Sequence, residues 1–459
     1  MPFFDLLMLS LGIDFGTSGA RAVVVSCPGV DEFCEESRWS EPCEIVAQAA
    51  FKFSDDLPYG RSLASEDMSI TALWTRMLWS LVSAIAPEIR QKITRIAVNG
   101  TSSTMLLSSR SLSAVSNVLM YDDARGRAAL DEVSAMAPPN SPTISATSTL
   151  TKAIWLYRER LYREGKAAIE LGRCDIFIDH QADWLSRFFH YQLGITDYHN
   201  ALKLGYDVKT LSYPQWLLNS PIASWLPDVV APGEVIGRIH PTVARIASFP
   251  RDCMVCAGTT DSIAAFLASG AKQTGEAVTS LGSTLVLKLL SSAPIENQTF
   301  GIYSHRLGNL WLTGGASNTG GAVLKQFFSS EQLADLSSQI DISKPCGLDY
   351  YPLNDLGERF PVNDPDYPPR LTPRPDHDRD FLYGLLDGVA RIEADGYQKL
   401  KALGAPALQK VYTAGGGAQN EAWQAIRQQK LGVEVVAAER TEAAYGTALL
   451  AMHGLSNFR

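Results

Sequence analysis

The chain has 459 residues and is 46% hydrophobic, enough for a large core and too apolar for a disordered chain. Its length suggests two to three domains. A net charge of -9, from 40 Lys and Arg against 49 Asp and Glu, argues against nucleic acid or an anionic membrane as the main partner.

The opening Phe3-Phe4-Asp-Leu-Leu-Met-Leu-Ser-Leu11 is apolar but has no basic segment before it and contains Asp5, so it is read as the lead-in to a strand and not as a signal peptide. It continues into Leu11-Gly-Ile-Asp-Phe-Gly-Thr-Ser-Gly-Ala-Arg-Ala-Val-Val-Val25: strand, turn of Gly, Thr and Ser, strand. Such a turn lets backbone N–H groups converge on an anion, because glycine tolerates positive φ and carries no side chain. Asp14 ends the first strand. A carboxylate there either caps the turn or holds Mg²⁺ through water beside a polar substrate.

Apolar residues at helical spacing, among them Leu73, Trp74, Met77 and Leu81, predict a helix over Met68 to Ile89, and Ile93 to Asn99 predicts a buried strand. Pro138, Pro139 and Pro142 mark a loop before a helix around Trp155. Asp261, after Gly258-Thr-Thr, is either a helix cap or a general base that takes a proton from a substrate hydroxyl.

The theme repeats from about Gly270. Gly275-Glu-Ala-Val-Thr-Ser-Leu-Gly-Ser-Thr-Leu-Val-Leu-Lys288 is a second hairpin, whose Gly282, Ser283 and Thr284 either bind phosphate or only turn the chain. Residues 355–375, rich in Pro, Asp and Arg, predict a long ordered loop, and Phe381 to Leu403 a helix packed closely at Gly384 and Gly388. Lys410 to Trp423 reads strand, glycine turn, helix. Its Gly416 and Gly417 allow close approach to a ring or ribose, and Asn420 and Trp423 either line an adenine pocket or, for Trp423, join the core. A last helix is expected from Glu442 to His453. Alternating strands and helices give an α/β class with covered sheets. The expected boundaries are 9–267, 268–440 and a C-terminal helix in 441–459 that packs back on the first domain.

The seven cysteines are odd in number and scattered, which predicts no disulfide framework and a reducing compartment. Cys253 and Cys256 have no second pair, so buried thiols are expected there and not zinc. The seven histidines show no metal-ligand spacing. No apolar run reaches the roughly 20 residues of a membrane helix. Cytoplasm is the default location, and a plastid or mitochondrial precursor trimmed of its transit peptide reads the same way.

Leu11-Gly-Ile-Asp14-Phe-Gly16-Thr17-Ser18, Gly258-Thr-Thr-Asp261, Gly357-Glu-Arg-Phe-Pro361 and Ala414-Gly-Gly-Gly417-x-x-Asn420-x-x-Trp423, taken in order, resemble the FGGY carbohydrate kinases. The resemblance implies two actin/hexokinase-like (ribonuclease H-like) domains around a nucleotide cleft. It also implies ATP and Mg²⁺ as cofactors, Asp261 as base, Asp14 beside sugar and metal, and the three glycine turns around ATP.

Where glycerol kinases carry an Asn-Gln-Arg-Glu-Thr-like run and xylulokinases Gly-Gln-Met-His-Gly, this chain has Asn99-Gly-Thr-Ser-Ser-Thr104. With Met120-Tyr-Asp-Asp-Ala-Arg125, that segment is similar to a cyanobacterial and plant subgroup, once labelled xylulose kinase-like, whose members act on D-ribulose. Ser102 would then bond the sugar, with Asp123 and Arg125 shaping its pocket. The expected activity is an ATP-dependent pentulose kinase making D-ribulose 5-phosphate, as a monomer or homodimer. Its rivals are D-xylulose or another ketose or polyol as acceptor, a non-catalytic sugar- or nucleotide-sensing actin-like protein, and an ATPase acting on a protein partner.

Overall fold

Two strand-rich stretches, each opened by a glycine-turn hairpin, build two six-stranded sheets in this computed structural model. The structure describes residues 8–27, 43–53, 69–110, 113–139, 141–164, 176–456 and 458. Residues 3–7 of the apolar opening, Met68, Cys34 and Cys174 lie outside the described residues. The chain divides into one unit of Met1–Ala268 with Glu442–Asn457 and a second of Ser269–Thr441 with Phe458–Arg459.

In the first unit the sheet is made of β1 (Met8–Phe15), β2 (Gly19–Cys27), β3 (Glu44–Lys52), β4 (Ile93–Gly100), β5 (Val235–Arg238) and β6 (Met254–Cys256), in the order β3-β2-β1-β4-β6-β5. β1 runs antiparallel to β2 and parallel to β4, so Asp14 faces Arg21 on one side and Asn99 on the other. The helix Ile70–Ala84 packs Trp74, Leu78 and Leu81 on this sheet. It ends earlier than the periodicity suggests, because Pro87 forces Ala86 out of the helical region; a short turn, Pro87–Arg90, follows. The C-terminal helix Ala443–His453 is buried on nearly every face. It lies so close to β1 that a Cβ on Gly12 would stand 2.1 Å from the Ala444 carbonyl oxygen, and Ser10 Oγ donates to the Ala448 carbonyl at 2.8 Å.

The second sheet contains β7 (Glu276–Leu281), β8 (Leu285–Ser291), β9 (Tyr303–Leu307), β10 (Leu310–Ser317), β11 (Lys410–Ala414) and β12 (Glu434–Ala437), in the order β9-β10-β8-β7-β11-β12. Here β7 takes the part of β1, antiparallel to its hairpin partner β8 and parallel to the late strand β11. The helix Asp378–Ala402 is the spine of this unit. Side chains on Gly384 and Gly388 would run into Tyr350 and Pro352, as close packing requires. A fully buried Arg427–Glu393 ion pair, at 2.6 and 2.7 Å, ties this helix to Glu421–Leu431.

One expectation is corrected. Cys27 and Cys43 form a disulfide, because the antiparallel register that sets Ser26 opposite Glu44 carries the two cysteines face to face. Linear spacing does not reveal strand pairing, and the bridge runs against the expected reducing compartment. Cys253 and Cys256 are buried thiols, both pushed up chiefly by burial. Among the described residues, no helix is long and apolar enough to cross a membrane.

Candidate active site

The first unit gathers its polar groups at the C-terminal ends of the parallel strands. Asp14 is half-buried at the end of β1, and its Oδ1 is closed off without a hydrogen-bond partner among the described residues. Burial, and then the charge of Asp261, push its carboxyl up to about 7, against the pull of Arg21 and Asn99. Two carboxylates close enough to sense each other, one with an unused buried oxygen, form a hard-oxygen donor set suited to a hydrated divalent cation.

Gly258 has to be glycine, because a Cβ there would fall 1.7 Å from the Val98 carbonyl oxygen. This close crossing pairs Thr260 with Gly100 and starts the helix Asp261–Ala268 beside the end of β4. Asp261 is half-buried in the first turn, and its Oδ1 accepts the Ser262 N–H at 2.7 Å. Thr259 Oγ1 is bonded to His199 Nδ1 at 2.7 Å.

In the loop after β4, Thr101 N–H donates to Gln181 Oε1 at 2.9 Å. Ser102 is half-buried. Ser103 has φ 67° and keeps its hydroxyl buried without a partner among the described residues. Gln181 Nε2, Asn200 Oδ1 and Thr260 Oγ1 are likewise buried and unpartnered. An orphaned buried polar atom costs about 1–3 kcal/mol unless something satisfies it, and a polyhydroxyl ligand would satisfy several at once. Sequence reasoning missed Gln181, Asn200 and Lys152. Only their contacts distinguish them from ordinary polar residues.

Asp123 and Arg125 are spent largely on each other. Arg125 donates from Nε at 3.0 and 2.9 Å and from Nη2 at 2.5 Å, and its guanidinium lies 5.0 Å above the Trp155 ring. Burial would raise the Asp123 carboxyl, but the bonds from Arg125 hold it below the ordinary range. In the first hairpin, Gly16 N–H is used within the turn, donating to Gly19 O at 3.0 Å, while Thr17 and Ser18 stand exposed at the tip.

The second unit contains a cleft of about 800 Å³. Gly282 and Ser283 line it from the β7–β8 turn, and Gly416, Gly417, Asn420 and Trp423 from the turn after β11. Leu324, Leu333 and Ile340 add an apolar wall and Lys325 a cation. Thr284, expected with these, is not among the lining residues. Asn420 caps its helix by accepting the Trp423 N–H at 2.9 Å and donates to Ser337 Oγ at 2.8 Å, so it shapes the cleft while its own polar atoms are engaged. Trp423 is 2% exposed and serves as both core and cleft wall.

Gly415, at φ 86°, would place a Cβ 2.6 Å from the Leu281 carbonyl oxygen, whereas a Cβ on Gly416 meets nothing within 4 Å. Gly416→Leu is therefore expected to fold normally and to project into the cleft. The ATP KM should rise about tenfold, roughly 1.4 kcal/mol, with the Tm and the KM of the second substrate unchanged. An unaltered ATP KM would remove nucleotide binding from this cleft.

Glu358, within Gly357-Glu-Arg-Phe-Pro361, is 2% exposed and accepts from Ser317 Oγ at 2.6 Å, Asn318 N at 2.8 Å and Tyr351 Oη at 3.0 Å, ordering the loop after residue 355.

Residues 277–455 match the family model for the C-terminal domain of the FGGY family of carbohydrate kinases, which makes this part of the chain that of an ATP-dependent sugar kinase. A structure described as a xyloylose kinase from Brucella ovis is similar at TM-score 0.78 and 20% identity, over 98% of this chain and 92% of that one. A xylulose kinase from Rhodospirillum rubrum matches at 0.75 and 19%, over 98% and 92%. A glycerol kinase from Plasmodium falciparum, with ADP, matches at 0.78 and 16%, over 98% and 90%. At these identities the structures establish the fold, a two-domain mixed α/β architecture.

Proposed function

With residues 277–455 belonging to the C-terminal domain family of the FGGY carbohydrate kinases, we propose that this chain transfers the γ-phosphate of ATP to a pentulose, D-ribulose foremost, giving D-ribulose 5-phosphate. The observation that carries this reading is the Asp14–Asp261 pair beside a cluster of unpartnered hydroxyl and amide groups.

Asp261 takes the proton from the C5 hydroxyl as that oxygen attacks phosphorus. Ser102, Gln181 and Asn200 orient the sugar hydroxyls, and Asp14 binds the sugar on the other side. The cleft of the second unit holds the nucleotide, with Gly282, Ser283, Gly416 and Gly417 offering close backbone approach and Trp423 an apolar wall. Asp14, through water, is the residue that would hold Mg²⁺, which its buried free oxygen fits. Bound there, the cation would offset charge developing on the phosphoryl oxygens.

D-xylulose is the second reading, favoured by structural neighbours described as xylulose kinases. The test is sugar-dependent ADP release with ATP and Mg²⁺ over D-ribulose, L-ribulose, D-xylulose, L-xylulose and glycerol. The expected result is a kcat/KM for D-ribulose at least tenfold above every other sugar. A lead for D-xylulose keeps the kinase and overturns the acceptor. Equal slow ADP release with every sugar and with none overturns pentulose phosphorylation and leaves a nucleotide sensor.

A further inference from the structure

Lys152 is a lysine with no exposed surface, in the first turn of the helix Thr149–Glu164. Burying an ammonium costs several kcal/mol, and an apolar side chain of like volume often does as well or better for stability. Its partners here are not carboxylates. The ammonium donates to two backbone carbonyls, Ser103 O at 2.9 Å and Met120 O at 2.6 Å.

Those carbonyls belong to two separate loops. Ser103 follows Ser102 and sits in the left-handed region, at φ 67°, which is unfavourable for a residue with a side chain. Met120 leads into Asp122, Asp123 and Arg125. The loops leave side by side from a short ladder, in which Met105 N–H donates to Leu119 O at 3.0 Å and Leu119 N–H to Met105 O at 2.8 Å. Beyond that ladder, Lys152 fastens one loop to the other across 49 and 32 residues of sequence.

We propose that Lys152 is a positioning residue for the acceptor: its ammonium holds the Ser103 and Met120 carbonyls so that Ser102 and the loop carrying the Asp123–Arg125 pair are set around the sugar. This rests on the reading that these loops bind the sugar. Lys152 touches neither reactant, so its effect falls on the affinity for one of the two. A lysine kept only for packing would act on stability, or on both substrates alike.

The variant is Lys152→Met, which fills the same space without the charge. Its sugar KM is expected to rise about tenfold, with the ATP KM within twofold and the Tm equal to or above that of the parent. If Lys152→Met fails to fold, the unchanged enzyme supplies the test. Burial, foremost, lowers the Lys152 ammonium to about 8, within a setting of Asp122, Asp123, Arg125 and Lys203. The sugar KM should therefore climb between pH 7 and 9.5 while the ATP KM stays level.

A sugar KM that does not move in a folded Lys152→Met, or that moves together with the ATP KM, overturns the proposal, as does a flat sugar KM across that pH range. Absence of sugar-dependent turnover in the unchanged chain overturns the kinase reading and this proposal with it. Turnover with D-ribulose but an indifferent Lys152→Met overturns this proposal alone.

Discussion

Asp261→Asn is expected to lower kcat by about 10²–10⁴, the usual worth of a general base, while both KM values stay within about threefold and the Tm does not move. The substitution separates the two roles open to this residue. Asp261 stands in the first turn of the helix Asp261–Ala268, where a short polar side chain supports the exposed N–H groups and a negative charge is favoured by the helix dipole. Asn supports a helix start about as well as Asp. A residue there only for the helix would thus tolerate the change with normal turnover. Asn accepts no proton from a hydroxyl, so a base would not. Thermal melting and nucleotide binding should match the parent, which assigns the loss to chemistry. Turnover within tenfold of the parent, in a folded variant that binds ATP, would sink the base assignment.

The elements that sequence predicts well are those with a strong local period. The hairpins around Gly16 and Gly282, the strand Ile93–Gly100 and the helix Asp378–Ala402 all carry their apolar faces in consecutive residues. Each sheet is built on a hairpin whose first strand runs parallel to a later strand, as reading the second hairpin as a repeat of the first suggests, while the outer strands follow a different order in the two sheets. What the sequence conceals is pairing over distance. Cys27 meets Cys43 only because two strands align in one register. Asn99 reaches Thr447 across 348 residues. Lys152 looks like one more basic residue on a helix until the Ser103 and Met120 carbonyls are seen beside its ammonium. Asp123 and Arg125 show the opposite limit. Their residue types suggest a pocket, but two residues of separation let them pair with each other first.

Asp14→Asn is expected to abolish most sugar phosphorylation, at least 10²-fold, and at the same time to stabilise the metal-free protein at alkaline pH. The sign follows from the direction of the shift. The carboxyl of Asp14 lies near 4 in the unfolded chain and is raised to about 7 in the fold, by burial first and by Asp261 second. Between those values the native state holds a proton that the unfolded state has released. Stability therefore falls as pH rises through that window, and the whole penalty is present above pH 7. An amide carries no charge to bury, so the variant escapes the penalty.

With EDTA present, so that no cation offsets the charge, Asp14→Asn should exceed the parent by about 1–3 kcal/mol at pH 8. The two should converge near pH 3.5, where Asp14 is protonated in the fold and mostly protonated in the unfolded chain. Denaturant melts across that range read the difference directly. A variant less stable than the parent at pH 8, or a gap independent of pH, would mean that Asp14 is not a carboxylate held at a cost for function. The opposite pairing, lost turnover with gained stability, is what a strained functional charge predicts and a turn-capping aspartate does not.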